Sequence, residues 1–290
     1  MWNVAPDRQA VAEAFARESE RVAELVRGSR DLREPVPGLA WNVGQLAAHV
    51  AMVYLAFGLT MRDGFQDEQL TSAVAAAGEG AGLPATIAAA NEYVVGQFAA
   101  ESPSAAAEAL AVNAAALLEA LSAQEDFARE VATPWYGVGR TRNVGTLASI
   151  AVTESLIHGR DLALALRADT RLSQSSAVAA TPTAMSAMLP LMFDAGRAKG
   201  FRADYEVRVR GGARFLMRIA DGKAESCELG EGGGGAERKV DCVLSLEPRA
   251  ALLIGFGRSS LARAILTGDA FASGRRPWLG PRFVTLFAHP

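Results

Sequence analysis

Apolar residues recur through the first 170 positions at helical rather than strand spacing. Between residues 8 and 27 they fall at Val11, Ala14, Phe15, Val22, Leu25 and Val26, which predicts one buried helical face, with Pro6 near its first turn and Gly28 at its stop. Asn42 is placed to cap a second helix running to about residue 60, and Gln45, three positions on, completes a capping box. Residues 66–82 read as a polar, Gly-containing connection. Two Ala-rich helices, over 84–100 and 103–121, are then parted at Ser102-Pro103. The segment from Thr133 to Arg140, with Pro134, Gly137 and Gly139, breaks the helical rhythm, and Asn143 can cap a further helix over 144–166.

Past residue 200 the period changes from helical to alternating. Segments 205–210, 214–220 and 224–229 alternate, with Gly211-Gly212 and Asp221-Gly222 between them as hairpin signals, so an antiparallel meander is expected. A further strand is expected over 240–246, short helices over 248–256 and 260–266, a return to the sheet over 270–273 and a closing helix over 277–287. Residues 177–199 are helical in character but carry Pro182 and Pro190, which predicts kinks. The fold class is therefore α plus α+β: a four-helix bundle over 1–170, a connecting helix within 171–199 and a small α+β domain over 200–290. Two domains also suit 290 residues better than one core does.

The helical stretch over 144–166 carries candidate chemistry. Glu154 and His158 are four positions apart in an apolar run, which puts both on one helical face, where they can share one ion. The chain has 3 histidines, and His49 also sits mid-helix among apolar residues, where an unpaired polar ring is costly. A metal bound by His49, Glu154 and His158, in the core of a bundle, would satisfy all three. The plainer reading is a buried, hydrogen-bonded histidine beside a coincidental glutamate. Gln45, four positions before His49, can orient that ring, although capping the second helix explains it better. Trp135 and Tyr136 line a pocket or simply pack; Arg275 and Arg276 bring positive charge to an anion or sit in a solvated turn. His289, beside the last residue, is given no role.

Charge and composition narrow the partners. With 29 Lys plus Arg against 32 Asp plus Glu, a net charge of -3 and no basic block interleaved with aromatics, nucleic acid is not an expected partner. No uninterrupted apolar run reaches the roughly 18–20 residues of a membrane span, and the N-terminus lacks a charged and then apolar leader, so a cytoplasmic protein, monomeric or homodimeric, is expected. Cys227 and Cys242 read as reduced thiols. The Gly232 to Gly235 run lacks a phosphate-loop lysine and its strand-to-helix context.

Two stretches carry a family likeness. Trp41-Asn42-Val43-Gly44-Gln45-Leu46-Ala47-Ala48-His49-Val50 and Glu154-Ser155-Leu156-Ile157-His158-Gly159-Arg160-Asp161-Leu162-Ala163 resemble the signature helices of the mycothiol-dependent maleylpyruvate isomerase family, a branch of the DinB-like metalloproteins. The likeness takes in Thr133-Pro134-Trp135 and most of the first 170 residues. Asp241-Cys242-Val243-Leu244-Ser245 and Gly274-Arg275-Arg276-Pro277-Trp278 are similar to the sterol-carrier-like domain that often follows.

The resemblance implies a zinc or other divalent ion on His49, Glu154 and His158 with open positions, and mycothiol as thiol cofactor. It further implies a small electrophilic, carboxylated and unsaturated substrate. The thiolate would add to a cis double bond, the resulting single bond would rotate, and elimination would give the trans isomer; a transferase would stop at the adduct. A three-ligand ion with an open position is the catalytic rather than the closed structural pattern. Arg160 stands where many members carry an aromatic residue: it holds a substrate carboxylate or pairs with Asp161. Two other readings remain, a thiol-independent metalloenzyme of a biosynthetic pathway and a non-catalytic binder of apolar ligands.

Overall fold

A computed structural model describes residues 5–62, 64–76, 82–97, 100–137, 139–229 and 240–288. The Gly232 to Gly235 run and His289 lie outside these residues. The chain divides into two compact units, with the boundary between Ser176 and Ala177.

In the N-terminal unit, α1 (Arg8–Arg27) starts where Asp7 Oδ1 accepts the Ala10 amide at 2.8 Å and stops at Gly28. Its buried positions include Val11, Phe15, Glu18, Val22 and Val26, the i, i+4, i+7 stripe that the sequence predicts. The expected capping box forms at the start of α2 (Val43–Arg62): Asn42 Oδ1 accepts from the Gln45 amide at 2.9 Å, and Gln45 Oε1 from the Asn42 amide at 3.0 Å. Ser102 caps α5 (Pro103–Ser122), with proline in its first turn, and Asn143 caps α6 (Val144–Ala165), accepting from Thr146 at 2.8 Å.

Helices α1, α2, α5 and α6 pack into the bundle. Gly58 lets α2 approach α5 closely, since a Cβ there would meet the Leu117 backbone at 3.4 Å. By length and composition α2 and α5 would suffice to cross a bilayer; in this fold both pack into the bundle, α2 mostly buried and α5 along one face.

The segment expected as a polar connection over 66–82 contains a helix, α3 (Glu68–Ala76), followed by α4 (Gly82–Gln97). Asp67 starts it, accepting the Leu70 amide at 2.8 Å, and Leu70 and Val74 bury one short apolar face. The loop before α6 carries a small antiparallel pair, β1 (Glu130–Ala132) with β2 (Thr141–Asn143), closed over a 3₁₀ turn at Pro134–Tyr136.

In the C-terminal unit, α7 (Gln174–Met188) has its first turn at the boundary and otherwise belongs to this unit rather than standing as a separate connector. Pro182 lies inside it, while Pro190 falls in the 3₁₀ turn that follows. Strands β3 (Ala203–Val209), β4 (Arg214–Ala220) and β5 (Lys223–Glu228) form the expected antiparallel meander. At its second turn Asp221 (φ 52°) and Gly222 (φ 72°) are both left-handed, the conformation a two-residue hairpin loop favours.

Next come β6 (Cys242–Leu246), α8 (Pro248–Gly255), α9 (Leu261–Leu266) and β7 (Ala270–Ser273). The sheet order is β5-β4-β3-β6-β7, and β6 runs parallel to β3, so the meander is extended by a crossover strand. The closing segment is not one helix from 277 to 287 but a 3₁₀ turn at Pro277–Leu279 and a single short α10 (Gly280–Val284). Tyr205, Phe215, Met217 and Phe283 form this unit's core, and the Tyr205 hydroxyl donates to the Leu279 carbonyl at 3.2 Å.

Candidate metal centre

The predicted trio comes together. His49 faces Glu154 across the α2–α6 seam, with Nε2 3.4 Å from Oε2, and His158 Nε2, one turn on from Glu154, is 3.0 Å from the same oxygen. One donor atom from each residue lies within 4.8 Å of the others, close enough to hold a single ion. The two imidazoles meet edge to face, with ring centroids 5.0 Å apart.

The seam is fixed beside the site by Tyr54 and Ser155, whose oxygens lie 2.7 Å apart. Ser155 gives its own proton to the Ala151 carbonyl at 2.7 Å, so the tyrosine is the donor of the pair. Tyr54 is fully buried, and Phe15 packs its ring edge at 5.0 Å, which locks α1, α2 and α6 around one phenol. A hydrogen bond made in such a dry seam resists competition from water.

The electrostatics of the trio are asymmetric. Burial alone would raise the Glu154 carboxyl, but hydrogen bonds and charge from His158 and His49 more than offset it and hold the group far below the ordinary carboxylate range. Burial lowers His49, and the neighbouring His158 charge lowers it further, against Glu154 and the side chain of Asn91 from α4. Burial also acts to lower His158, yet Asp161 and Glu154 outweigh it and push that ring up to about 9. At neutral pH the metal-free cluster therefore holds a proton on His158, a carboxylate on Glu154 and a neutral ring at His49.

Asp161 is 1% exposed, with Oδ2 3.4 Å from His158 Nδ1. The contact is long and loosely aligned, and Asp161 raises the ring through it and through its charge. Such outer carboxylates set the tautomer of a ligating imidazole and leave Nε2 free to bind. Asp161 was expected only as a partner of Arg160; its place three positions beyond His158 on the same helix is the signal for its contact with that ring. Asn91 and Trp41, the latter with its ring centroid 5.2 Å from that of His49, carried no local signal.

Gln45 is engaged in the capping box with Asn42. Arg160 lies 3.7 Å from Asp161, and Arg276 lies 3.7 Å from Asp241, with Arg275 exposed in the same turn. Trp135 is buried against Phe57, centroids 5.4 Å apart, and Phe65. Tyr136, whose hydroxyl burial pushes well above its ordinary pKa, feels the Glu154 charge and carries the Arg142 guanidinium over its ring at 5.4 Å. Two imidazole nitrogens and one carboxylate oxygen converging in a buried seam, with a charged partner behind one ring, fit a divalent ion such as zinc.

The sequence profile of the mycothiol maleylpyruvate isomerase N-terminal domain matches residues 15–163. No curated protein matches the chain. Among solved structures, the mycothiol-dependent maleylpyruvate isomerase is 15% identical with a TM-score of 0.49, over 92% of this chain and 93% of that one. A mutant of that isomerase gives the same figures. A stereoselective inverting sec-alkylsulfatase from a Pseudomonas species is 16% identical with a TM-score of 0.33; the match covers 50% of this chain and 25% of the sulfatase.

Proposed function

We propose, from the premise that this chain belongs to the mycothiol maleylpyruvate isomerase N-terminal domain family, that it is a metal- and mycothiol-dependent enzyme acting on a small, unsaturated, carboxylated electrophile. The observation that carries this reading is the convergence of His49, Glu154 and His158 on one point of the α2–α6 seam. A bound divalent ion would supply Lewis acidity and make a thiolate available at neutral pH, where a free thiol of pKa about 8.5 stays mostly protonated.

The chain's own groups have separable tasks. His49, Glu154 and His158 hold the ion; Asp161 keeps His158 turned with Nε2 toward it; Tyr54 and Ser155 keep the two ligand helices in register. With two neutral imidazoles and one carboxylate, the protein neutralises only half of a divalent charge. The remaining positive charge favours an anionic thiol over a neutral one. Isomerisation needs the thiol to add to the substrate's double bond and leave again after rotation, so a dry seam that keeps water from the adduct is an asset.

The test is metal analysis of the purified protein beside His158→Ala, followed by calorimetric titration with mycothiol and assay of a cis-unsaturated keto acid with and without it. Metal lost in the variant, metal-dependent mycothiol binding and thiol-dependent cis-to-trans turnover are expected. Turnover that persists without any low-molecular-weight thiol would reassign the protein to thiol-independent metal chemistry. Metal without mycothiol binding or turnover would refute the reading.

A further inference from the structure

Large apolar side chains left in water are concentrated at one place in the C-terminal unit. Among the described residues five are exposed, and four of them fall within residues 265–278: Ile265 (48%), Leu266 (88%), Phe271 (63%) and Trp278 (67%), the fifth being Val112 on α5. A single exposed leucine is ordinary, but a cluster marks an interaction surface. Helix α9, which carries the first two, and the 3₁₀ turn that carries Trp278 both pack on β7, which carries Phe271 and is the last strand of the sheet. The four side chains therefore belong to one rim.

Charge is segregated in the same region. The whole chain has a net charge of -3, yet residues 247–288 carry Arg249, Arg258, Arg263, Arg275, Arg276 and Arg282 against only Glu247 and Asp269, six cations against two acids. Glu247 is engaged by Arg249 at 2.9 Å, and Asp269 by the Thr267 hydroxyl at 2.5 Å. Arg263, on α9, and Arg275, in the turn after β7, are exposed on either side of Phe271 in the sequence.

Shape and charge together select the occupant. Side chains alternate along β7, so Phe271 shares a sheet face with its partner Ser245, while Ala272 lies on the other face, where a Cβ at Gly280 would come within 2.6 Å of the Ala272 Cβ. The turn that carries Trp278 leads into Gly280 and so meets the strand from the side opposite Phe271. The apolar groups thus wrap a convex edge instead of sharing a flat face. A rigid partner would need a matching groove, whereas a fluid one needs none. A second copy would also set two positive rims against each other, which electrostatic complementarity disfavours.

We propose that this rim is a peripheral docking surface for an anionic lipid bilayer: Leu266, Phe271 and Trp278 enter the headgroup boundary, and Arg263 and Arg275 pair with lipid phosphates. Tryptophan and leucine suit that boundary, and an arginine can lay its stem on apolar surface while its head stays with the phosphates. The contact needs no membrane-spanning segment and uses none of the metal ligands.

The test is flotation of the full-length protein with phosphatidylcholine vesicles, with and without phosphatidylglycerol, for wild type, Leu266→Ser, Trp278→Ser, the double variant Arg263→Gln/Arg275→Gln and Val112→Ser. Wild type is expected to float with the phosphatidylglycerol vesicles only and to be released as salt is raised. Leu266→Ser and Trp278→Ser should each weaken binding about 5–10-fold, the scale of one apolar side chain withdrawn from lipid, and the arginine double variant about 10–30-fold. Val112→Ser removes an exposed apolar side chain elsewhere and should bind as wild type does. Wild type that ignores anionic vesicles, or floats equally with neutral ones, overturns the proposal. So does anionic-vesicle binding at the wild-type level in Leu266→Ser or in the arginine double variant, and either suffices should the other not fold. A wild-type dimer in sedimentation that Trp278→Ser dissociates, in protein that binds no vesicle, would overturn it in favour of a second copy on this rim.

Discussion

The α2–α6 seam and the polar face of the C-terminal sheet are both built from charged side chains at regular spacing, and they end in opposite electrostatic states. On the sheet, Glu206 takes Arg208 on both oxygens, at 2.7 and 3.0 Å, and Arg214 at 3.3 Å, while Asp204 takes Arg218 at 3.1 Å. Strand register makes these pairs, since Arg214 lies opposite Arg208 and Arg218 opposite Asp204. Both of these carboxylates meet a permanent cation, and the arginine side chains are 41–51% exposed. In the seam the partners are imidazoles, protonated at His158 and neutral at His49, which can give their Nε2 atoms to a metal, and one carboxylate is shared by the two. Paired charge alone therefore does not mark a site; buried donors that converge and can give up their protons do.

The sharpest way to break that contrast is to remove a converging donor. His158→Ala should lose the metal and lower thiol-dependent turnover by about 10²–10³-fold or more, the scale of a lost electrostatic stabiliser, read by metal analysis and steady-state rates. Asp161→Asn keeps all three donors and should cost roughly 10–100-fold in metal affinity, measured by competition with a chromophoric chelator.

The pH dependence follows from His158, whose ring is pushed up to about 9. Below that value a metal must displace the His158 proton, so affinity should climb about tenfold per pH unit and level off near 9, with about one proton released at pH 7.5. In the metal-free protein the same raised value gives a stability contribution that is whole below 6.5 and is lost as the pH rises through about 9, visible as a falling melting temperature. The smallest effect belongs to the sheet: Arg208→Ala, removing a half-exposed partner, should change stability by no more than about 1 kcal/mol in urea unfolding and leave metal binding untouched.

What the sequence could show divides along the same lines of locality. The bounds of α1, α2, α5 and α6 were legible because each cap or stop lies within a few residues of the helix it serves, as at Asn42 and Asn143, although at α1 the cap is Asp7 and Pro6 stands before it rather than in the first turn. The metal trio was legible because imidazoles among alanines, valines and leucines demand a partner. Helix α3 is hidden by the polar composition of its surroundings, which the Asp67 cap and the short Leu70–Val74 apolar face override. Parallel pairing of β3 with β6 joins Tyr205 to Cys242 through a long connection, and no local pattern encodes it.

His49 and Glu154 are 105 positions apart, and that separation sets an order of events. At a synthesis rate of about 5–20 residues per second, α2 waits roughly 5–20 seconds for α6 to emerge. During that interval the chain presents a single histidine, which holds an ion only weakly and so resists capture of whatever metal is at hand. Glu154 and His158 then arrive together, on one turn of one helix. A chelate would form only as the bundle closes, so a metal would be selected by folded protein rather than by nascent chain.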